Sequence, residues 1–351
     1  MSDGLGDRKR EHLALCADGE VEYGAKTTLL DDVELVHDAL PELALAEIST
    51  AVTLLGKPLR APLLITGMTG GAAEAAAINR DLAAVAEAHG IAFGLGSQRA
   101  MQREPALTAT FEVRAYAPTT LVLANLGVVQ AARLATAEVE ALVRAIAADA
   151  LCLHLNPAQE LIQPGGDRDF RGGLAAIERL VRELPCPVIV KETGCGISRA
   201  VATRLRAAGV QTVDVSGAGG TSWVRVEALR GDAAAQALGG EFAEWGIPTA
   251  AAVLGMRGLG LTCIASGGIR SGLDVAKVIA LGAAAAGVAL PVFRAYTTGG
   301  APGAGAFLER LVAGLRTAML LTGARDLAAL GGVPTVLGPR LGAWAGSGGG
   351  E

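Results

Sequence analysis

Short apolar runs alternate with longer amphipathic stretches along most of this chain, and the runs share a way of ending. LLIT gives way to GMTGG, IAFG to LGSQR, LVLA to NLG, VIV to KETG, and TVDVS to GAGGTSW. The run around residues 150–155 ends in LHLNPAQE, which sets His154, Asn156, Gln159 and Glu160 just past a strand. CIA precedes SGGIR, and an eighth strand is expected around residues 285–289. Apolar runs of this length, separated by helical patterns and ending in Gly, Ser, Asn or Lys, are what a (β/α)8 barrel requires. The fold expected is therefore an α/β TIM barrel with an N-terminal extension, and its chemistry is expected on the loops that follow the strands.

The pattern also divides the chain. Residues 1–60 read as an extension before the barrel, 61–340 as the barrel, and 341–351, a Gly-rich end, as a disordered tail. Helices are expected over 72–89, 137–148, 173–184, 198–208 and 306–321. Residues 223–261 form a longer insertion, expected to close over the site or to make a subunit contact, since long loops in compact domains tend to be functional.

Composition narrows the classes of function. At 351 residues and 51% hydrophobic, the chain can bury a large core. Aromatic residues make up only 3% and the net charge is −5, which argues against a nucleic-acid platform. No uninterrupted apolar run reaches 18 residues, and the start MSDGLGDRKREH is charged, so a soluble, cytoplasmic protein is expected without a membrane partner. The five cysteines, Cys16, Cys152, Cys186, Cys195 and Cys263, form no C-x-x-C pair. Neither a zinc site nor a disulfide framework is suggested, and Cys152 and Cys263 read as small core residues.

Two loops carry the candidate phosphate chemistry. Ser266, Gly267, Gly268 and Arg270 lie between a strand and a helix, where backbone N–H groups and the helix dipole hold anions, and the loop falls after strand seven. Ser216 and Thr221, in the loop after strand six, offer further contacts. Neither loop is a P-loop or a G-x-G-x-x-G fingerprint, and the glycines of each also suit tight barrel turns. Lys191 ends a Val/Ile run at the barrel mouth; such a lysine pairs with a carboxylate, forms a Schiff base, or holds negative charge on a cofactor, the last being favoured beside a phosphate loop.

Duller explanations stand beside these. Arg8, Lys9 and His12 fit a solvated N-terminal charge run, and His154 a hydrogen-bonded core histidine. Gln159 and Glu160 suit a helix start after Pro157, and Arg99 an ion pair with Glu104. None of these explains why all the groups gather at one barrel face.

Taken in order and spacing, RKREH, MTGG, LGSQR, NLG, HLNPAQE, GDRDF, KETGCGIS, VDVSGAGGTSW and ASGGIRSG resemble the type 2 isopentenyl-diphosphate isomerases from Arg8 to about Trp344. HLNxxQE together with the N-terminal RKxEH is specific to that group, whereas SGGIR is widely shared. One departure is Pro164-Gly165, where the family usually carries Pro-Glu. The resemblance implies FMN-dependent, non-redox conversion of isopentenyl to dimethylallyl diphosphate by a 1,3-proton shift, within the C=C-transposing intramolecular oxidoreductases. It implies reduced flavin, NADPH as reductant, Mg2+, and a homotetramer or homo-octamer. It places FMN at Met68, Thr69, Gly70, Ser97, Asn125, Lys191, Ser216, Thr221, Gly267, Gly268, Arg270, Ala289 and Leu290. It places the prenyl diphosphate substrate at Arg8, Lys9, His12, Ser97, Arg99, His154, Asn156 and Gln159, with Gln159 and His154 at the chemistry and Glu160 on the metal. The rival is an FMN-dependent 2-hydroxy-acid oxidase, which needs a histidine base in the strand-six segment. Here that segment reads SGAGGTSW.

Overall fold

The computed structural model describes residues 5–347. Eight parallel strands close into a barrel: β1 Leu63–Ile65, β2 Ala92–Gly94, β3 Val122–Gly127, β4 Ala150–Leu155, β5 Val188–Glu192, β6 Thr212–Asp214, β7 Thr262–Ser266 and β8 Ala285–Val288. The ring is completed where Gly287 of β8 stands opposite Leu64 of β1. Each strand falls on an expected apolar run.

Side chains alternate across each strand, and two separate apolar clusters follow from that alternation. Leu63, Ile65, Phe93, Val122, Ala124, Leu126, Leu151, Leu153, Val188 and Val190 pack outward with the surrounding helices. Leu64, Ala92, Leu123, Ala150, Cys152, Ile189, Ile264 and Ala285 fill the barrel interior, so Cys152 is the core residue its apolar neighbours suggested. Leu54 and Leu59, from the hairpin of Val52–Leu54 and Lys57–Leu59, join that interior cluster. Counting on by two from the interior set gives Asn125, His154, Lys191 and Ser266, and register with Ile264 and Lys191 puts Asp214 of β6 among them, so the inward face turns polar at the C-terminal ends of β3 to β7.

The helices lie within a residue or a few of their expected places: Ala73–His89, Thr136–Ala145, Gly173–Glu183 and Arg199–Ala207. The last long helix begins earlier than expected and runs over Leu290–Leu321 with a break at Gly300. The segment over 223–261 is three helices, Trp223–Arg230, Ala233–Phe242 and Thr249–Met256. The extension serves several places at once. Its helix Leu5–Asp18 packs on Leu290–Leu321 and Trp223–Arg230, and Val33–Leu35 pairs with Thr335–Leu337 near the other chain end.

The tail requires a correction. Pro339–Ser347 is helical, because Leu341 is fully buried and Asp32 accepts both the Leu341 N–H (3.0 Å) and Arg340 Nε (2.8 Å). Glycine content suggested disorder and gave no weight to these two anchors. Residues 348–351 of the expected tail lie outside the described residues.

Candidate functional site

The polar inward positions open into a cavity of about 1610 Å3, counting its open mouth. Every expected site residue lines it except Gly70. A Cβ at Gly70 would fall 2.1 Å from the Phe111 ring, so that glycine serves close packing behind the loop.

On β3 and β4 a hydrogen-bond chain fixes a tautomer. Asn125 Nδ2 donates to the Leu95 carbonyl (3.0 Å), which turns Asn125 Oδ1 toward His154 Nδ1 (2.8 Å). His154 therefore carries its proton on Nδ1 and presents the Nε2 lone pair. Burial, then the charges of Lys191, Lys9 and Arg99, lower its pKa to about 3, so the ring is neutral. Lys191 stands beside it on β5 in register and donates from Nζ to the Glu192 carbonyl (2.7 Å). The alternative ion pair with the Glu192 carboxylate is not formed. That carboxylate instead accepts the N–H groups of Thr193, Gly194 and Cys195, and burial pushes its pKa up to about 7. Asp214, opposite Lys191 on β6, accepts Ser266 Oγ at 2.5 Å, and burial raises its pKa too.

After β4, the Pro157–Ile162 helix does begin at Pro157, and it carries the site residues as well. Asn156 Nδ2 donates to Gln159 Oε1 (3.2 Å) and to Glu160 Oε1 (3.1 Å), while the Asp167 N–H donates to Glu160 Oε2 (2.7 Å). Gln159 Nε2 points the other way, to Glu227 Oε1 (3.1 Å). Glu227 is wholly buried and also accepts from His12 Nε2 (2.9 Å) and Arg230 (2.6 Å). With its amide turned to satisfy both neighbours, Gln163 donates to Glu227 (3.2 Å) and accepts from Arg8 (3.0 Å). Arg8, Lys9 and His12 thus belong to the site, on the helix Leu5–Asp18, and His12 meets the Trp223 ring edge-on at 5.1 Å. Burial and neighbouring Arg8 lower the pKa of Lys9 to about 8, and burial lowers that of Arg8. Arg99 pairs with Asp167 at 3.6 Å in place of Glu104, because the loop after β4 brings Asp167 across to it.

Glu227, Asp167, Gln163 and Trp223 escaped the sequence reading. The available signal for Glu227 was its place four residues after Trp223 and three after Val224, on the apolar face of one helix.

Two observations bear on a flavin phosphate. Gly267 and Gly268 have φ of 99° and 72°; a Cβ on the first would meet the Gly217 carbonyl at 2.1 Å and on the second Thr28 at 2.4 Å. The helix after them is already capped, since Ser271 Oγ accepts the Asp274 N–H (3.1 Å) and the Asp274 carboxylate accepts the Ser271 N–H (2.9 Å) in return. The helix after β8 is different: its N-cap, Ala289, makes no side-chain cap, and both Ala289 and Leu290 line the cavity. An uncapped helix start facing a cavity is suited to an anion. Thr69 Oγ1, buried in the lining, has no hydrogen-bond partner. Ser216 holds φ of 38° there, a backbone strain of the kind that functional loops keep. Among the described residues no group of three metal-ligating side chains occurs, so a cation here would lean on Glu160 and on its ligand's own oxygens.

Comparison with known proteins fits this geometry. Residues 2–155 and 171–334 match the FMN-dependent dehydrogenase family. The chain is 48% identical over 330 residues to an isopentenyl-diphosphate delta-isomerase of Synechococcus sp., covering 93% of this chain and 94% of that one. It is 44% identical over 345 residues to the enzyme of that name from Methanothermobacter thermautotrophicus, covering 97% and 95%. Among solved structures it is similar to a mandelate oxidase carrying an FMN adduct, with a TM-score of 0.63, 18% identity, and 95% and 99% of the two chains covered. At that identity the likeness concerns the fold alone.

Proposed function

The chain belongs to the FMN-dependent dehydrogenase family and within it to the isopentenyl-diphosphate delta-isomerases, and on that premise we propose how its residues perform an isomerisation of isopentenyl diphosphate to dimethylallyl diphosphate. The observation that carries the reading is one cavity lined both by a glycine loop and an uncapped helix start, at Gly267, Gly268, Ala289 and Leu290, and by the cations Arg8, Lys9 and Arg99.

FMN fits the loop and helix start: Gly267, Gly268, Arg270, Ala289 and Leu290 would take its phosphate, with Met68, Thr69, Ser97, Asn125, Ser216 and Thr221 around the remainder. Lys191 would hold negative charge on the ring. Reduced FMN, once bound, supplies a proton-transferring centre strong enough for an unactivated alkene.

The chain supplies everything else. Arg8, Lys9, Arg99, Ser97 and Asn156 would clamp the diphosphate with charge and hydrogen bonds. Glu160 would hold Mg2+, a hard cation suited to a carboxylate, and its charge would offset that of the diphosphate. His154, neutral with its proton on Nδ1, leaves Nε2 free to accept a hydrogen bond and cannot serve as a charged acid at neutral pH. Gln159 is too weak an acid to protonate an alkene; held between Asn156 and Glu227, it orients the alkene or relays its proton. A proton enters at one end of the three-carbon unit and another leaves at the other, so no net electron transfer occurs. The strand-six segment offers no histidine, which the hydroxy-acid oxidase alternative requires.

NADPH as the one-time reductant, a cytoplasmic location and a homotetramer or homo-octamer complete the proposal. Exposed Leu229, Leu238, Phe242 and Trp245 on the 223–261 segment offer apolar surface for subunit contact. The test is anaerobic incubation of the purified chain with FMN, NADPH, Mg2+ and isopentenyl diphosphate. Dimethylallyl diphosphate should accumulate, and its absence from a flavin-loaded protein would refute the reading.

A further inference from the structure

The helix carrying Arg8, Lys9 and His12 is held at its far end by a residue with no role so far. Arg294 Nε donates to the Cys16 carbonyl (3.1 Å), and one of its terminal nitrogens donates to the Gly19 carbonyl (2.7 Å). Those carbonyls are the ones a helix C-terminus leaves without intrahelical partners, and a cation there also opposes the helix dipole. The other terminal nitrogen donates to Glu22 Oε2 (3.1 Å). The remaining oxygen of Glu22 accepts Arg270 at 2.5 Å. Arg270 in turn donates to the Gly268 carbonyl (2.9 Å) and to the Gly219 carbonyl (3.1 Å).

One carboxylate therefore joins the arginine of the phosphate loop to the arginine that ties down the N-terminal helix. The two arginines are rooted in barrel elements, Arg294 one turn into the helix whose start faces the cavity. Arg225 holds the Glu22 carbonyl (3.2 Å), so the carboxylate stands on a fixed stretch of backbone.

Resting on the flavin reading above, we propose that Glu22 and Arg294 are positioning residues that couple occupancy of the flavin phosphate site to docking of the substrate-binding helix Leu5–Asp18. A phosphate that fixes Arg270 reduces the freedom Glu22 would otherwise lose when the helix docks. Conversely, a docked helix orients Arg270 before the phosphate arrives. Coupling of this kind is reciprocal, so each ligand should improve the other's affinity by one common factor. All three side chains are partly exposed, which makes the coupling sensitive to salt.

Hydrogen exchange over residues 5–18 of the full chain tests this, with FMN and with riboflavin, which offers the same ring without the phosphate. FMN should slow exchange there by roughly fivefold or more, the low end for coupled sites, and saturating riboflavin should have little effect. In Glu22→Gln, FMN should still bind, as read from quenching of flavin fluorescence, but the protection should disappear and the substrate KM should rise more than kcat falls. Arg294→Lys, which keeps the charge, should retain part of the protection that Arg294→Met loses. Equal protection by riboflavin, or a wild-type response in Glu22→Gln, would overturn the coupling while leaving the flavin site intact. Failure of the wild-type chain to bind FMN at all would instead overturn the flavin reading, and the coupling with it.

Discussion

Replacing Glu227 by glutamine keeps the size of a wholly buried group and removes its charge. Burial alone would raise the pKa of this carboxyl; hydrogen bonds from His12 and Gln159 and the charge of Arg230 hold it below its ordinary value. In the wild type one oxygen takes His12 and Gln159, with Gln163 on the same atom, and the other takes Arg230. A glutamine has one acceptor, so either Arg230 faces an amide N–H or Gln159 loses its partner. A hydrogen bond to a charged group contributes about 1.5–3 kcal/mol net, so Glu227→Gln should lower stability by about 2–4 kcal/mol. Arg230 keeps Glu11 at 2.8 Å, which limits the damage on that side. If freeing the Gln159 amide costs about 1.4–2.7 kcal/mol in the transition state, kcat falls by about 10–100-fold. Anaerobic steady-state kinetics with reduced FMN, alongside thermal unfolding, measure the two losses separately. A variant with kcat within about twofold of wild type would refute the positioning of Gln159 by Glu227.

The pKa of Lys9 is about 8 in the free protein, so kcat/KM should decline as pH rises through that value and the diphosphate clamp loses a charge. Lys9→Arg should move this alkaline limb upward, and a limb that stays in place would assign it elsewhere. His154 has its pKa lowered from 6.5 to about 3, so the folded chain declines a proton that the unfolded chain takes up. Its contribution is therefore full above about pH 6.5 and is lost as pH falls toward 3, at up to about 1.4 kcal/mol per pH unit. Urea unfolding of His154→Gln should show a shallower acid decline than wild type; equal slopes would contradict a neutral His154. Glu160→Gln should raise the magnesium concentration needed for half-maximal activity and the substrate KM, since an amide is the weaker ligand for a hard cation. An unchanged magnesium titration would remove Glu160 from the metal.

The barrel was legible because its signal is strong in one dimension. Apolar runs mark the strands, and counting by two from Ala150 and Cys152 carries His154 to the inward face. Lys191 followed from its place at the end of a Val/Ile run and Ser216 from the loop after strand six, whereas Asn125 was placed at the site only by the family resemblance. Glu227 did not follow at all, because a glutamate in an amphipathic helix usually faces water and its partners lie as far away in sequence as His12. Arg99 misled for a similar reason: Glu104 is near in sequence, whereas Asp167 becomes its neighbour only when β2, β3 and β4 line up in the barrel and bring the loops after β2 and β4 together. Arg8, Lys9 and His12 have no local pattern that separates them from a solvated run, and only the RKxEH resemblance placed them at the site. The end of the chain failed through a single leucine, Leu341, whose burial outweighs the glycines beside it.

The central claim is an isomerisation that uses flavin without consuming electrons, and redox stoichiometry tests it most directly. Under anaerobic conditions, with FMN, Mg2+ and excess isopentenyl diphosphate, NADPH oxidation should stop after about one equivalent per flavin, the two-electron reduction of a single cofactor. Dimethylallyl diphosphate should continue to form for many turnovers. NADPH oxidation in step with product, or flavin reduction by lactate or mandelate without prenyl turnover, would contradict the account.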